Sequence, residues 1–477
     1  MSSLGPAGAA LSPLALLHPD GRVRGTLLLG AGSGLLPVPE TRAAAPGELD
    51  LIVVAPAEEE WAAREPDGWL AELRKLAPDG LVYAIASRRR RRAMRALLLK
   101  AGFEIEAEIA HVPGWDARYL VPVAPASAGG FRHVSPVWPR RARALELAPS
   151  ALGSLLPAVA LVARPSSSRR LGDWALRLEP EAEAPALACL IRRGRKPEDR
   201  IVVVRTARDG AKASILKIGL AGRARDQAVE RLALEQLGPA ARAAGANVPE
   251  PLSTSLLDDR AILVETALGG RTAAGVLGNR PRELPKLLDR LGAWLERWHR
   301  ETCEYRVLEP ADLDRLVRDP LTRVAGVLDP RYVEWLQGRC VELTGARCAF
   351  VAAHNDLTMF NVLVDGDRLG IVDWECARAG DLPLCDLAYA AVDAAAATGR
   401  YRDRAIAYER VFGSGPVAAQ VEQLTGRICA ALDLDDALAQ LCLHATWLRH
   451  AANEQGDGTP RGFLAILRRL ASETVDR

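Results

Sequence analysis

The chain has 477 residues, which is too long for one ordinary hydrophobic core and predicts two or three domains. Its 62 basic residues nearly balance its 60 acidic ones, so the net charge of +2 gives no electrostatic argument for a nucleic-acid or anionic membrane partner. The composition is that of a soluble globular protein, and we expect neither nucleic acid nor a membrane as a partner.

The cysteines and the apolar segments indicate the compartment. Eight cysteines are present without a CxxC pair, and no secretory signal peptide is recognisable, so we expect reduced thiols and a cytoplasmic location. The most apolar long segment, "ALGSLLPAVALVARP" from Ala151, is too short to span a bilayer. No membrane span is therefore expected, and the oligomeric state is left open.

Residues 1–165 alternate short apolar runs with amphipathic helical patterns, which predicts an α/β domain with a mainly parallel sheet. The predicted strands are "TLLLGAGSG", "DLIVVAP", "LVYAIAS" and "EIEAEIAHV". The predicted helices are "DGWLAELRKLA" and "RRRRRAMRALLLKAGF", the second ending at Gly102. For the arginine run from Arg88 to Arg92, a solvated helix face is favoured over a phosphate or nucleic-acid site.

Three glycines, Gly30, Gly32 and Gly34, follow the first predicted strand, and the later order of elements resembles the C-terminal half of a class I S-adenosylmethionine-dependent methyltransferase. Such enzymes need an acidic residue at the end of the second strand to hold the ribose. Only fifteen residues separate Gly34 from Asp50, and "DLIVVAP" already resembles the fourth strand, so there is no room for the missing strand–helix–strand. The resemblance implies an abridged Rossmann-like, methyltransferase-like domain that is inactive and does not bind S-adenosylmethionine.

A polar linker is predicted at 166–184, followed by a segment with a different pattern. Residues 185–270 contain two β-rich runs around an Asp-Gly turn, "RIVVVRTARDGAKASILKIGL", and one helix from Gln227 to Leu237. Residues 271–477 are mostly helical, interrupted by the short strands "NVLVDGD" and "RLGIVDW".

That interruption, "HNDLTMFNVLVDGDRLGIVDWE" from His354 to Glu375, contains the chemistry-bearing residues. Transfer of a phosphoryl group from ATP needs the acceptor hydroxyl positioned and the metal-bound phosphates held in line. Asp356 can orient the hydroxyl and accept its proton, whereas Asn361 and Asp373 offer hard oxygen ligands to Mg²⁺. The spacing therefore favours a phosphotransferase.

The same stretch resembles the catalytic and metal loops of the aminoglycoside phosphotransferase and choline kinase family, relatives of the protein kinases. The resemblance covers about residues 185–460 and implies an α+β bilobal protein-kinase-like domain, with an N-lobe at 185–270 and a helical C-lobe at 271–477. It implies that Asp356 is the catalytic base and that Asn361 and Asp373 bind Mg²⁺. It further implies that His354 holds the loop together, and that Asp381 and Asp386 brace it and cap the next helix.

The resemblance also assigns the nucleotide contacts. Lys217, one of six lysines in an arginine-rich chain, would reach the α- and β-phosphates, with Glu230 as its partner and Glu235 as the rival for that role. Backbone groups at Thr266, Ala267 and Leu268 would meet the adenine. The alternative reading of Lys217 is an edge-strand lysine that guards against aggregation, and that of Glu230 is a solvated helix face. Trp298 and His299 are expected to be structural.

Only seven residues separate Asp373 from Asp381, too few for the segment with which protein kinases dock a peptide, so a small hydroxyl compound is the expected acceptor. Asp433, Asp435 and Asp436 could meet a cationic acceptor, but a helix-start role is slightly preferred. The leading hypothesis is an ATP- and Mg²⁺-dependent phosphotransferase acting on a sugar, an aminoglycoside or a related metabolite. The alternatives are a pseudokinase-like scaffold in a biosynthetic pathway and a methyltransferase with an accessory domain.

Overall fold

The computed structural model describes part of the chain, and the chain forms two compact units. The described residues are Leu14, Leu17, Val23, 26–29, 49–55, 66–87, 89–112, 119–122, 158–165, 188–192, 201–206, 212–219, 224–257, 260–457 and 462–475. One unit comprises Met1–Ala228 and Pro251–Ala267, and the other Val229–Glu250 and Leu268–Arg477. Gly30, Gly32, Gly34 and Arg88 lie outside the described residues.

In the first unit the described residues form an eleven-stranded sheet with the strand order β1-β2-β3-β6-β4-β5-β7-β8-β9-β12-β11. The strands are β1 (Thr26–Leu29), β2 (Leu49–Val54), β3 (Leu76–Ser87), β4 (Glu104–Val112), β5 (Tyr119–Pro122), β6 (Ala158–Arg164), β7 (Ala188–Arg192), β8 (Ile201–Thr206), β9 (Lys212–Ile218), β11 (Pro251–Leu257) and β12 (Arg260–Thr266). Two helices, α1 (Pro66–Leu73) and α2 (Arg91–Lys100), precede β3 and β4. Strands from both 1–165 and 185–270 thus join one sheet, and the domain boundaries themselves remain predictions.

The four strands predicted up to residue 112 are all present, but the expectation of a mainly parallel sheet is wrong, because three of the five described strand pairings within residues 1–165, β3–β6, β6–β4 and β4–β5, are antiparallel. β1 pairs with β2 and β2 with β3 in parallel, as expected. β6 then lies between β3 and β4 and is antiparallel to both. The first helix is also shorter than predicted, because the chain enters β3 at Leu76.

The two faces of this sheet bury different sets of side chains, because successive residues of a strand point to opposite sides. On β2, Ile52 and Val54 join a cluster with Trp69 of α1 and Leu98 of α2.

The second helix ends as predicted, with Gly102 in the left-handed conformation at φ 83°. Within the arginine run, Arg91 forms an ion pair with Glu108.

The opposite face buries a longer cluster that includes side chains of β2, β3, β8, β9 and β12. The two predicted β-rich runs pair as antiparallel strands, β8 and β9, with Ile201 opposite Ile218, whereas their Asp-Gly turn lies outside the described residues. β9 also pairs with β12, so it is an interior strand.

The second unit is mostly helical, as predicted, and a long helix, α3 (Ala224–Ala243), contains its first residues. Its further helices are α4 (Ala273–Asn279), α5 (Leu284–Thr302), α6 (Pro310–Leu313), α7 (Asp319–Val324), α8 (Pro330–Leu343), α9 (Cys385–Thr398), α10 (Arg404–Phe412), α11 (Pro416–Ala431), α12 (Asp436–Asp457) and α13 (Phe463–Val475). A single turn of π-helix, Asp314–Arg318, joins α6 to α7.

Two small sheets accompany these helices. One has the order β10-β17-β16-β13, with β10 (Ala246–Asn247), β13 (Arg271–Thr272), β16 (Val362–Asp365) and β17 (Arg368–Ile371). The other has the order β14-β15-β18, with β14 (Glu304–Val307), β15 (Arg347–Ala353) and β18 (Arg378–Asp381).

Among the helices of the described residues, none is both long and apolar enough to cross a bilayer. The seven cysteines from Cys303 to Cys442 form no disulfide.

Candidate active site

The predicted catalytic loop begins where the buried strand β15 ends, and a buried carboxylate holds its first two residues. Asp386, on the first turn of α9, accepts hydrogen bonds from the backbone N–H of His354 at 2.6 Å and of Asn355 at 2.9 Å. Asn355 has a left-handed backbone, φ 64°, which turns the chain sharply out of the strand. Burial raises the pKa of Asp386, and the two amide donors act in the opposite direction.

His354 is fully buried and contacts the far side of the following hairpin. Its Nε2 lies 3.1 Å from the backbone oxygen of Val372, and its ring meets that of Trp374 edge-on with 5.2 Å between centroids. These contacts tie the start of the loop to the residues on either side of Asp373, which agrees with the expected structural role.

Asp356 and Asn361 contact each other directly. The Nδ2 of Asn361 donates to the carboxylate Oδ2 of Asp356 at 3.0 Å and to its backbone oxygen at 2.9 Å. Because both amide protons are directed at Asp356, the amide oxygen of Asn361 points away from that carboxylate. The pair thus presents one carboxylate and one separate amide oxygen.

The β16–β17 hairpin brings Asp373 back to this pair. Val362 lies opposite Ile371, and the N–H of Val372 donates to the backbone oxygen of Asn361 at 3.0 Å. Asp373 follows immediately in the left-handed region, at φ 69° and ψ 63°. Aspartate and asparagine tolerate this region better than most residues, so the turn suits the residue type found there.

Two further carboxylates lie beside Asp373. One oxygen each of Glu230, Asp373 and Glu375 lies within 4.8 Å of the others. Glu230 is buried, and its Oε1 accepts a hydrogen bond from the N–H of Trp374 at 3.0 Å. An all-oxygen set of this kind suits Mg²⁺ or Ca²⁺. Glu375 was not predicted as a site residue, because nothing local in the sequence shows that it lies beside Glu230.

The two candidates for the lysine partner differ in burial. Glu230 is buried, whereas the side chain of Glu235 is 44% exposed and pairs with Arg231 at 2.7 Å. The reading of Glu230 as a solvated helix face is therefore wrong. Glu230 and Lys217 belong to different units, so their pairing stays a prediction.

Lys217 is buried in the first unit, on the interior strand β9. Its Nζ lies 3.1 Å from Glu265 Oε1 on the neighbouring strand β12. An interior position excludes the reading of an edge-strand lysine. Thr266 and Ala267 end the first unit and Leu268 begins the next stretch of the second, so their contacts with an adenine also stay predictions.

Asp381 does not bind the catalytic loop in the way Asp386 does. Its Oδ2 accepts from Arg378 at 2.9 Å and from Arg449 at 3.0 Å, and its Oδ1 accepts from the N–H of Leu382. No side-chain hydrogen bond caps α9, which starts after Leu384 in the left-handed conformation at φ 65°. The expected capping role of these aspartates is therefore wrong, and only the bracing role of Asp386 is seen.

The remaining expectations concern structural residues. Trp298 is fully buried and stacks on Trp294, and burial lowers the pKa of His299 to about 4, which makes it a neutral core residue. Asp435 accepts from the N–H of Leu438 at 2.8 Å, as a helix-start acid does.

Comparison with known proteins agrees with the geometry of this site. Residues 196–420, a little under half of the chain, match the model of the phosphotransferase enzyme family (APH). This part of the chain is therefore a phosphotransferase-family domain, which confirms the predicted enzyme class and the kinase-like fold that the resemblance implied. No curated protein matches the sequence.

Solved structures show a remote likeness. An amicoumacin kinase with AMP-PNP and Ca²⁺ is 16% identical, with 60% of this chain and 88% of that chain covered and a TM-score of 0.42. Aminoglycoside phosphotransferase APH(3'')-Id from Streptomyces rimosus, with ADP and streptomycin, is 17% identical over 58% and 97%, with a TM-score of 0.37. A choline/ethanolamine kinase family protein from Mesorhizobium loti is 19% identical over 62% and 90%, with a TM-score of 0.35. At these TM-scores the likeness does not indicate a substrate for this chain.

Proposed function

We propose that the chain transfers the γ-phosphoryl group of ATP, in the presence of Mg²⁺, to a hydroxyl group of a small molecule. The observation that carries this proposal is the convergence of Asp356, Asn361 and Asp373. The first two share a hydrogen bond of 3.0 Å, and the third follows a residue whose N–H is bonded to the backbone of Asn361. A carboxylate beside two separate oxygen ligands is what in-line phosphoryl transfer requires of a protein.

In this mechanism Asp356 orients the acceptor hydroxyl and accepts its proton at the carboxylate as the oxygen attacks. The NH₂ group of the Asn361 amide holds that carboxylate in place. The amide oxygen of Asn361, together with Asp373, would hold Mg²⁺. Glu375 and Glu230 add carboxylates to the same cluster. When bound, the ion would neutralise the phosphate charge. Lys217, with Glu230, and the backbone at Thr266, Ala267 and Leu268 keep their proposed roles on the phosphates and the adenine.

The acceptor that we propose is a sugar, an aminoglycoside or a related metabolite. The support is the short connection between Asp373 and Asp381, which β18 and a single turn fill almost completely. Little chain is left there to dock a peptide.

A screen of small hydroxyl compounds with ATP–Mg²⁺, read by mass spectrometry, tests the proposal. A product heavier by one phosphoryl group is expected for at least one compound, and it should form at least about 10²-fold more slowly with Asp356→Asn. If aminoglycosides are the acceptors, expression should raise antibiotic tolerance in a sensitive host, whereas unchanged tolerance at good expression would favour sugars or polyols.

Calorimetry separates the alternatives. Binding of ATP–Mg²⁺ with turnover supports the phosphotransferase, and failure to bind would instead support a pseudokinase-like scaffold. For residues 1–165 we propose an abridged methyltransferase-like layer without cofactor, for which no heat is expected on titration with S-adenosylmethionine. Measurable binding of that cofactor would favour the methyltransferase alternative.

A further inference from the structure

A second buried aspartate, Asp393 on α9, contacts the catalytic loop midway between Asp356 and Asn361. Its Oδ2 accepts a hydrogen bond from the backbone N–H of Met359 at 2.7 Å. Met359 is fully buried, and its backbone oxygen accepts from the N–H of Ala274 at 2.8 Å. Both backbone groups of this one residue are therefore fixed, one of them by a carboxylate side chain.

Two other donors complete the surroundings of this carboxylate. The hydroxyl of Tyr401 donates to Oδ2 at 2.9 Å, and Arg404 Nη2 donates to Oδ1 at 3.2 Å. Asp393 itself is only 1% exposed. The three donors, one of them a guanidinium group, occupy both oxygens of this buried carboxylate and fix its orientation.

Tyr401 also contacts the loop directly. Its ring stacks on that of Phe360, the residue before Asn361, with centroids 5.4 Å apart and planes inclined by 20°. Arg400 and Tyr401 are consecutive non-glycine residues in the left-handed conformation, at φ 57° and 58°. Such a conformation is unfavourable for these residue types and persists where surrounding contacts determine it. Here it follows the end of α9 and delivers the tyrosine to both Asp393 and Phe360.

We propose that Asp393, with Tyr401 and Arg404, positions the Asp356–Asn361 segment for phosphoryl transfer, a role that rests on the proposed function above. It is a positioning residue, since it acts through Met359 and touches none of the proposed reacting groups. Because Asp356 and Asn361 are only three and two residues from Met359, displacement of this anchor moves the carboxylate and the amide that share a hydrogen bond. Small displacements of such groups slow chemistry strongly without weakening nucleotide binding in proportion.

The test uses the full chain with Asp393→Asn and Tyr401→Phe. The asparagine turns an NH₂ group either towards Arg404 or towards Met359 and Tyr401, so at least one hydrogen bond must break. We expect kcat to fall by on the order of 10²-fold for Asp393→Asn and about 5-fold for Tyr401→Phe, with KM for ATP changed less than about 3-fold. Tyr332→Phe is the matched control, since it removes a buried hydroxyl bonded to His444 at 2.9 Å and should leave kcat unchanged.

Two readouts distinguish positioning from a loss of stability. In the Asp356→Asn background, Asp393→Asn should cost little further kcat, because the group that it positions is already disabled. Hydrogen exchange in the peptide containing Met359 should speed up in Asp393→Asn but not in Tyr332→Phe. Unchanged exchange, or a full additional loss of kcat in the double variant, would overturn the proposal. If the wild type transfers no phosphoryl group while the exchange result holds, the proposed function fails and the structural anchor stands.

Discussion

Replacement of Asp356 by asparagine separates the chemical role of this carboxylate from its structural one. In the native loop Asn361 donates to Oδ2 of Asp356 and to its backbone oxygen, so one oxygen of the side chain accepts a hydrogen bond within the loop. An asparagine of the same shape can accept the first bond through its amide oxygen and leaves the second untouched. The fold should therefore survive, with a free energy of unfolding changed by less than about 1 kcal/mol.

The expected kinetic cost follows from what the amide cannot do. It carries no charge to orient the hydroxyl and no basic oxygen to take the proton, and general-base catalysis contributes about 10²- to 10⁴-fold. The activation barrier should thus rise by about 3 to 5 kcal/mol, nearly all of it in kcat. The affinity for ATP–Mg²⁺ should be nearly unchanged, since the proposed metal ligands are intact.

Asp373→Asn provides the contrast, because asparagine also tolerates the left-handed backbone at this position and the fold should again survive. It removes a charged oxygen from the carboxylate cluster, so nucleotide binding should weaken together with turnover. Asp367→Asn is the control on the same hairpin, where an exposed aspartate pairs with Lys286 at 3.2 Å. It should change neither quantity.

The assay is a titration of ATP at fixed Mg²⁺ beside steady-state rates for the four proteins, on a compound that the wild type phosphorylates. The reasoning is refuted if Asp356→Asn keeps near wild-type kcat. It is also refuted if the two active-site variants lose nucleotide affinity equally, because the division between base and metal ligand would then be wrong.

Three other outcomes are expected. Glu375→Gln should raise the Mg²⁺ concentration for half-maximal rate several-fold, measured by metal titration, and an unchanged value would remove Glu375 from the metal site. Lys217→Met should weaken ATP binding in calorimetry and lower the melting temperature, because it also breaks the buried ion pair with Glu265; unchanged ATP affinity would remove Lys217 from the phosphate site. Burial and, second, the charge of Arg339 lower the pKa of His444 to about 3, below an unfolded value of about 6.5. Between these two pH values His444 is protonated in the unfolded chain and neutral in the folded one. The free energy of unfolding should therefore fall by about 1.4 kcal/mol per pH unit as the pH drops from about 6.5 towards about 3. In urea unfolding between pH 7 and pH 5, the free energy of unfolding should decline less steeply with falling pH for His444→Gln than for the wild type. Equal slopes for the two proteins would contradict this assignment.

The sequence was informative where function depends on residues close together in the chain. The spacing from His354 to Asp373 predicted a loop, a hairpin and a returning aspartate, and the structure has all three. Glu375 was within the same stretch but received no role, because its meaning depends on Glu230, 145 positions earlier in the chain. A pairing at that distance leaves no periodic signal in a single sequence.

Asp393 and Tyr401 illustrate the same limit. The stretch "LAYAAVDAAAATG" reads as an apolar helix with one acidic residue, Asp393, and nothing local shows that this residue meets the N–H of Met359. In the first unit, the strand content before residue 112 was predicted, but the position of β6 was not. Its insertion between β3 and β4 depends on contacts between segments about 50 to 80 residues apart.

The pairing of β5 with β7 determines how fragments of this protein would behave. Tyr119 and Leu120 lie opposite Arg192 and Ile191. The sheet therefore joins a strand that precedes the predicted linker, residues 166–184, to a strand that follows it. A shortened chain that starts at residue 185 would leave the N–H and C=O groups of β7 without this neighbour. Such groups recruit strands from other molecules, and the fragment would aggregate or form strand-paired dimers. Low yield of a minimal kinase fragment would then reflect an uncovered strand edge and would reveal nothing about the competence of the catalytic residues.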